Sequence, residues 1–445
     1  MSAIILIATF VAVILLDALD KRRYIKRTTI AGMLLAIAPL LLLPAGGVVS
    51  ELIKADMFTL FFAIIFLSVG ALVALSSKES TAVFNGSLLL STIGMIVAAS
   101  ANDLILLFIS IELVTAPTYV LVAYHKTPMR MEAAVKYFVV GIVASALLVL
   151  GLALIASSAG TTSISLLTFS TEPLFILGIA AFIAGMGFKL AMFPFNFWIP
   201  DVYQGAPPEV AGLLAASSKK AAYAAFLRVA VVISVLDNWS MLFAVIAAIT
   251  MTVPNVIALL QVNVRRLLSY SIISHAGFLL MGVAAATSLG YSALLFHSLT
   301  HAFMTLGAFL VLGVFLSHNI ESLEQLKGLG WRNPFLGAAL TVFLLSLAGI
   351  PLMAGFASKF YLFYATIDAG LLWLALLAIV NSVIALYYYF RVIRALYAYQ
   401  SGGHAFKVRR GTVAAIVVCL IVTVVAGIYP QPFIELANAA VAALL

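Results

Sequence analysis

Charged residues are scarce in this 445-residue sequence. Asp, Glu, Lys and Arg make up only 9% of it, whereas hydrophobic residues make up 64%. A soluble globular domain carries about 25% charged residues, so this composition excludes an ordinary soluble domain. Apolar runs of roughly 20 residues, the length that crosses a bilayer about 30 Å thick, recur from end to end. They are too long and too weakly alternating for the strands of an outer-membrane barrel. The sequence therefore predicts an all-α polytopic membrane protein.

Cysteine is almost absent, since Cys419 in the last apolar run is the single one. One thiol cannot form an internal disulfide, and it cannot by itself hold an iron–sulfur cluster or a zinc ion. The sequence also lacks a glycine-rich dinucleotide fingerprint after a strand and histidines placed to bind haem. We interpret Cys419 as a small buried apolar residue. We therefore expect no redox cofactor in this chain.

The formal charge of +8 is interpreted as a signal of membrane topology. Most of the 24 Lys and Arg residues fall in loops on one side of the membrane, whereas Lys54 alone falls in a loop on the other. The positive-inside rule then places both termini outside a cytoplasmic membrane, and no nucleic-acid partner is expected. The fourteen predicted spans are 2–18, 28–43, 57–75, 84–99, 102–122, 134–158, 174–194, 210–236, 240–260, 267–287, 291–316, 334–364, 370–397 and 411–430.

Several basic residues nevertheless fall inside the predicted spans. A cation at membrane depth costs a few kcal/mol or more, so such residues are rare and usually line a polar path. The simplest interpretation is a path for cations, most simply protons. Lys219 and Lys220 point about 100° apart on one helix, so only one of them faces the path, and we choose Lys219. The basic residues within spans are Lys189, Lys219, Lys220, Arg228 and Lys359.

Glu112 lies near the middle of the fifth span, close in depth to these lysines. A carboxyl group there is either protonated and hydrogen-bonded to backbone or paired with a lysine, and we expect a Glu–Lys pair. Pro194 breaks the seventh span five residues after Lys189. We interpret this break as hydrated, the alternative being a proline kink that serves packing. Gly349-Ile350-Pro351 breaks the twelfth span in the same way, before Lys359.

The two breaks fall at corresponding places in two halves of the chain, which is typical of inverted-repeat transporters. Spans 4–8 and 9–13 form two five-span units, and an odd number of spans inverts the second unit. The predicted division is an N-terminal region at 1–83, a first repeat at 84–236, a second repeat at 237–397 and a C-terminal region at 398–445.

Three histidines also lie in apolar spans, namely His275 in the tenth and His297 and His301 in the eleventh. Two histidines four residues apart are able to bind zinc, but HSLTH lacks the glutamate of HExxH and no third ligand is evident. Each histidine is therefore either a satisfied core residue or a proton relay, for which an imidazole is chemically suited.

Several strings resemble one family, the antiporter-like (Mrp-type) membrane subunits of respiratory complex I. The strings are FPFNFWIPDVYQGAPPEV followed by AASSKKAAYAAFLR, then RRLLSYSIISHAGF and SLAGIPLMAGFASKFYLF, and the first is most similar to the subunit N group. The resemblance extends from about Asn102 to Phe363. Asn196 stands where many members have histidine, and Pro208-Glu209 replaces the usual Thr-Pro.

The resemblance implies that Glu112, Lys189, Lys219 and Lys359 carry protons. In this hypothesis Lys189 takes up and releases a proton as its pairing with Glu112 changes, and Lys219 passes it on. His275 or a water chain leads it to Lys359, which releases it outside, and His297 and His301 are further candidate relay residues.

The resemblance also implies a cofactor-free subunit of a proton-translocating NADH:quinone oxidoreductase-type enzyme. Iron–sulfur clusters, flavin and quinone are expected in partner subunits, which include homologous antiporter-like subunits and peripheral redox subunits. The alternatives are a subunit of a multisubunit sodium/proton antiporter, a module of a membrane-bound hydrogenase, or a structural scaffold.

Overall fold

The computed structural model describes residues 1–42, 48–236, 238–398 and 405–445. Ten helices in these ranges are long and apolar enough to cross a membrane. The predicted helical membrane architecture is therefore confirmed. Three parts of the prediction lie outside the described residues: Leu43, the end of the second span; Asp237, the start of the second repeat; and residues 399–404.

The helices follow one another with few other elements. In chain order they are α1 (Ser2–Ala18), α2 (Arg22–Leu35), α3 (Ala38–Leu42), α4 (Met57–Ser76), α5 (Ala82–Ser100), α6 (Leu104–Ala123), α7 (Pro128–Ala159), α8 (Pro173–Leu190), α9 (Ile199–Gly205), α10 (Pro208–Leu213), α11 (Lys219–Ile233), α12 (Trp239–Leu259), α13 (Val264–Ala285), α14 (Ser288–Leu316), α15 (Leu329–Arg332), α16 (Pro334–Ala348), α17 (Ala354–Asp368), α18 (Leu372–Tyr397), α19 (Arg410–Ile428) and α20 (Gln431–Leu444). Strands β1 (Val48–Ser50) and β2 (Ile53–Lys54) form a small antiparallel hairpin, and Ile164–Leu166 is a 3₁₀ turn.

The chain folds as two compact units. The first consists of Met1–Trp198, Ser217–Trp239 and Leu436–Leu445, and the second consists of Ile199–Ala216 and Ser240–Glu435. Glu112, Lys189 and Lys219 therefore belong to the first unit, and the three histidines and Lys359 belong to the second.

Polar side chains fix where several of the apolar helices begin. The Asp56 carboxylate accepts from the Thr59 amide at the start of α4, and Asp103 accepts from two amides at the start of α6. Asn263 accepts from the Arg266 amide at the start of α13. Such caps satisfy amides that have no partner within the helix. Asp103, which falls inside the predicted fifth span, is thus a cap that precedes the helix.

The second span differs from its prediction, because α2 begins at Arg22 and ends at Leu35 instead of covering residues 28–43. Arg22, Arg23, Lys26 and Arg27, which lie between the first two predicted spans, are therefore helical. Lys26 explains part of this difference, since its ammonium group donates to the Leu75 carbonyl at 2.9 Å and the Ser77 carbonyl at 2.6 Å. Lysine stabilises helix carbonyl ends, so a cation inside α2 completes the end of α4.

The predicted eighth span, 210–236, is not one regular helix. It consists of α10, a π-helical segment from Leu214 to Ser218, and α11, which begins at Lys219. A π-helical segment adds a residue to a turn and often marks a functional position. Residues beyond the last predicted span are also helical, because α20 covers Gln431–Leu444.

Candidate functional site

The central feature of the first unit is a buried ion pair between α6 and α8. Lys189 Nζ lies 3.2 Å from Glu112 Oε1, and the Lys189 side chain is 4% exposed whereas that of Glu112 is 31% exposed. The expected Glu–Lys pair is therefore confirmed, and Lys189 is the partner. The pair places two opposite charges in the apolar middle of the helices, where few groups other than each other can compensate them.

Hydroxyl groups complete this cluster. Ser145 of α7 donates to Glu112 Oε1 at 2.6 Å, and Lys189 Nζ lies 3.4 Å from both Ser145 Oγ and Thr115 Oγ1. The ammonium group thus has three acceptors, which is its full donor capacity. The sequence does not single out Ser145 or Thr115, because serine and threonine in apolar helices commonly bond only to their own backbone.

The chain breaks immediately after Lys189. Helix α8 ends at Leu190, and Ala191 adopts the left-handed conformation with φ +65°. The Met192 amide donates to the Gly187 carbonyl at 2.8 Å and the Ala191 amide donates to the Phe188 carbonyl at 3.3 Å, a Schellman arrangement. The predicted break is confirmed, but it starts before Pro194 because the αL residue already ends the helix.

Lys219 is buried at the start of α11, directly after the π-helical segment. A tyrosine lies between this position and the helices of the ion pair. The Tyr137 hydroxyl of α7 lies 3.4 Å from Thr118 Oγ1 of α6 and also hydrogen-bonds with Ser218, the residue before Lys219. The Tyr137 ring stacks on Trp198 with centroids 4.7 Å apart. Tyr137 therefore links α6 and α7 to the beginning of α11.

Arg228 is bound by groups other than those of the predicted polar path. Its guanidinium binds Asp56 in bidentate fashion at 2.6 and 2.8 Å, and it also donates to Thr59 and to the Ala99 carbonyl. Burial alone would raise the pKa of Asp56, but the hydrogen bonds and charge of Arg228 outweigh it and hold the pKa below its ordinary value. Arg228 thus joins α11 to the ends of α4 and α5 as a structural clamp.

The three histidines of the second unit lie together. His275 Nδ1 is 3.2 Å from His297 Nε2, and the ring centroids of His275 and His301 are 4.6 Å apart. His297 Nδ1 lies 2.9 Å from Ser358 Oγ of α17. All three rings are almost completely buried. No group of three or more His, Cys, Asp or Glu side chains in the described ranges is arranged to hold a metal ion.

Lys359 lies on α17, just after the second break. Helix α16 ends at Ala348, and Gly349 adopts φ +91° with amide bonds of the same Schellman type. Lys359 Nζ donates to the Leu347 carbonyl at 2.9 Å and the Ala348 carbonyl at 3.2 Å. The second predicted break is therefore confirmed, and its lysine satisfies the carbonyl end of the preceding half-helix.

Both units place a buried lysine next to a helix break, but the lysine lies on different sides of the break. Lys189 stands in the last turn before its break and has a carboxylate partner, whereas Lys359 stands after its break and has carbonyl partners. Each unit therefore brings a buried lysine to a helix interruption. Ser145 and Thr115 hydroxyl groups lie beside Lys189, and Ser358, which hydrogen-bonds with His297, directly precedes Lys359 in the chain.

Comparisons with known proteins identify the family of this chain. The family model described as "NADH:quinone oxidoreductase/Mrp antiporter, TM" matches residues 101–385. The F(420)H(2) dehydrogenase subunit N of Methanosarcina mazei is 37% identical, with 94% of this chain and 91% of that protein covered. The NADH-quinone oxidoreductase subunit N of Moorella thermoacetica is 36% identical at the same coverage.

Solved structures give the same result. A chain of respiratory complex I from Thermus thermophilus, solved with bound aureothin, superimposes with a TM-score of 0.88 at 32% identity. That alignment covers 98% of this chain and 100% of the Thermus chain. Because the family model spans more than half of the sequence and the relatives match over almost their whole length, this chain belongs to the NADH:quinone oxidoreductase/Mrp antiporter membrane family.

Proposed function

We propose that this chain carries protons across the cytoplasmic membrane as the subunit N-like module of a complex I-type oxidoreductase. Two sets of residues serve one transport cycle. The first comprises Glu112, Lys189 and Lys219, and the second comprises His275, His297, His301 and Lys359. The observation that carries the proposal is the buried Lys189–Glu112 pair at a helix break.

The pair supports loading and release of a proton at Lys189. Burial disfavours the charged ammonium, whereas the carboxylate at 3.2 Å favours it. A change in that separation therefore shifts Lys189 between the charged and the neutral form. Ser145 and Thr115 satisfy the remaining polar atoms, so the pair can separate without leaving a bare charge.

Energy for transport comes from partner subunits in this proposal. The chain itself holds no redox cofactor, and iron–sulfur clusters, flavin and quinone belong to peripheral and membrane partners, including homologous antiporter-like subunits. The electron donor is NADH, ferredoxin or a reduced deazaflavin; the names of the Methanosarcina and Moorella relatives support the deazaflavin F(420) and NADH respectively.

We propose further that the chain has fourteen spans with both termini outside and the basic loops in the cytoplasm. The inverted repeats at 84–236 and 237–397, flanked by regions 1–83 and 398–445, belong to the same proposal. The matching Schellman ends at Ala191 and Gly349 support corresponding breaks in the two repeats.

The test is Lys219→Ala in the complete complex reconstituted into liposomes, with proton uptake followed by a pH-sensitive dye. We expect proton transport to be lost while all subunits still co-purify. Lys136→Ala is the matched control, because Lys136 is an exposed lysine that pairs with Glu132 at 2.8 Å. Unchanged proton transport in Lys219→Ala would refute the assigned role.

A sodium/proton antiporter subunit is the second candidate, since the matching family model also describes Mrp antiporters. Co-purification distinguishes the two. Iron–sulfur subunits in the purified complex favour the oxidoreductase, whereas their absence together with sodium-dependent proton exchange favours the antiporter.

A further inference from the structure

His297 has a hydrogen-bonding partner at each nitrogen of its ring. Nε2 lies 3.2 Å from His275 Nδ1, and Nδ1 lies 2.9 Å from Ser358 Oγ. A neutral imidazole has a single N–H, so one nitrogen donates and the other accepts. The partner of one nitrogen therefore decides which of the two is able to exchange a proton.

The Ser358 hydroxyl is oriented by its own helix. Ser358 Oγ lies 3.3 Å from the Gly355 carbonyl, one turn earlier in α17. A carbonyl oxygen only accepts, so we infer that the hydroxyl donates its one proton there, as serine commonly does within helices. The Ser358 oxygen then accepts from His297, which places the ring proton on Nδ1 and leaves a lone pair on Nε2 towards His275.

We propose that Ser358 is a positioning residue that keeps a proton on His297 Nδ1, so that Nε2 exchanges protons with His275. This inference rests on the proposed transport function and deepens it. On uptake, the N–H bond at Nδ1 of protonated His275 breaks, and a new N–H bond forms at His297 Nε2. The positive charge moves with the proton to His297. Return of the proton reverses both changes through the same nitrogen.

The hydrogen bonds of Ser358 suit both states of His297. The neutral ring and the imidazolium ion each carry a proton on Nδ1, and Ser358 Oγ accepts it in either case. The Gly355 carbonyl keeps its donor throughout. Because a hydrogen bond to a charged group is stronger than one to a neutral group, Ser358 stabilises the protonated ring more than the neutral one. His297 thereby becomes a site that holds a proton beside the helix of Lys359.

The position of Ser358 connects this site to the second break. Ser358 and Lys359 are consecutive in α17, and Lys359 Nζ donates to the Leu347 carbonyl at the end of α16. A movement of α17 relative to α16 therefore displaces both side chains.

The experiment compares Ser358→Thr with Ser358→Val in the complete complex reconstituted into liposomes. Threonine and valine are both β-branched and nearly equal in shape, so the pair differs mainly in the hydroxyl group. We expect Ser358→Val to slow proton transport roughly 10- to 100-fold, the range for a lost hydrogen bond to a charged group. Ser358→Thr should remain close to wild type. The solvent isotope effect should rise in Ser358→Val, because transfer at His297 then limits the rate.

Ser298→Ala is the matched control, since Ser298 is buried next to His297 and its hydroxyl has no hydrogen-bond partner in the described part of the chain. It should leave both transport and the isotope effect unchanged. Equal transport by the Thr and Val variants, or an unchanged isotope effect in Ser358→Val, would overturn the inference. When the Ser358 variants overturn the inference, Lys219→Ala shows how far the failure extends. Normal transport in Lys219→Ala means that the proposed function fails as well. Loss of transport in Lys219→Ala means that only the role of Ser358 fails.

Discussion

Removing the charge of Glu112 is the sharpest perturbation of the first unit. Glu112→Gln keeps the size of the side chain and an acceptor for Ser145, but it leaves Lys189 without its counter-charge. At an effective dielectric constant of about 20, unit charges 3.2 Å apart interact by about 5 kcal/mol. Because Glu112 is 31% exposed, we take about 2–3 kcal/mol as the effective loss. That lowers the ratio of charged to neutral Lys189 by roughly 30- to 150-fold.

We expect proton transport by the reconstituted complex to fall by a similar factor in Glu112→Gln, while subunit assembly is retained. The matched control is Glu132→Gln. Glu132 pairs with Lys136 at 2.8 Å, a shorter distance, but both side chains are exposed and the pair contributes little. Wild-type transport in Glu112→Gln, or an equal loss in Glu132→Gln, would show that the buried ion pair does not control the charge of Lys189.

Two further predictions concern the structural supports. Asp56→Asn should destabilise the folded chain by about 3–5 kcal/mol, because it leaves Arg228 buried without its carboxylate. The stability that Asp56 contributes to the folded chain is fully present above its unfolded pKa of about 3.9, and it is lost as the pH falls through the lower folded pKa. The melting temperature of the variant should therefore lack this decrease at acid pH. Gly349→Ala should reduce both stability and transport, because φ is +91° and the new Cβ would lie 3.2 Å from Lys359 Cδ. Gly370→Ala, at φ +78° with nothing within 4 Å, should reduce stability alone, and equal transport defects in the two variants would contradict this reasoning.

The sequence predicts the buried charges well, because a lysine or glutamate in an apolar helix has few possible partners. The apolar context predicts a Glu–Lys pair at Glu112, and the resemblance implies Lys189 as the partner, which the structure confirms. Glycine and proline indicate the interruptions near residues 191 and 349. Arg228 shares the apolar context of Glu112 and Lys189, so the sequence predicts the same polar path for it, and this prediction is wrong. Its partner Asp56 lies 172 residues away in a loop, and no local pattern identifies a pair of that separation.

Other features had no sequence signal. The π-helical segment Leu214–Ser218 consists of residues that also suit an ordinary α-helix, so packing decides its geometry. Ser145 and Ser358 look like the small residues that let membrane helices approach closely. Their roles depend on which polar side chain faces them across a helix contact, and only the folded chain determines that.

The hydrogen bonds of Lys359 to the end of α16 have a consequence for the second break. An ammonium group has three N–H bonds, and the neutral amine that remains after deprotonation still has two. Two donors are enough for the carbonyl groups of Leu347 and Ala348, which both lie within hydrogen-bond distance of Nζ. The end of α16 therefore stays capped whether or not the lysine carries its proton. If Lys359 releases a proton as proposed, the neutral amine still reaches both carbonyl groups, so the change of charge demands no rearrangement of the half-helices.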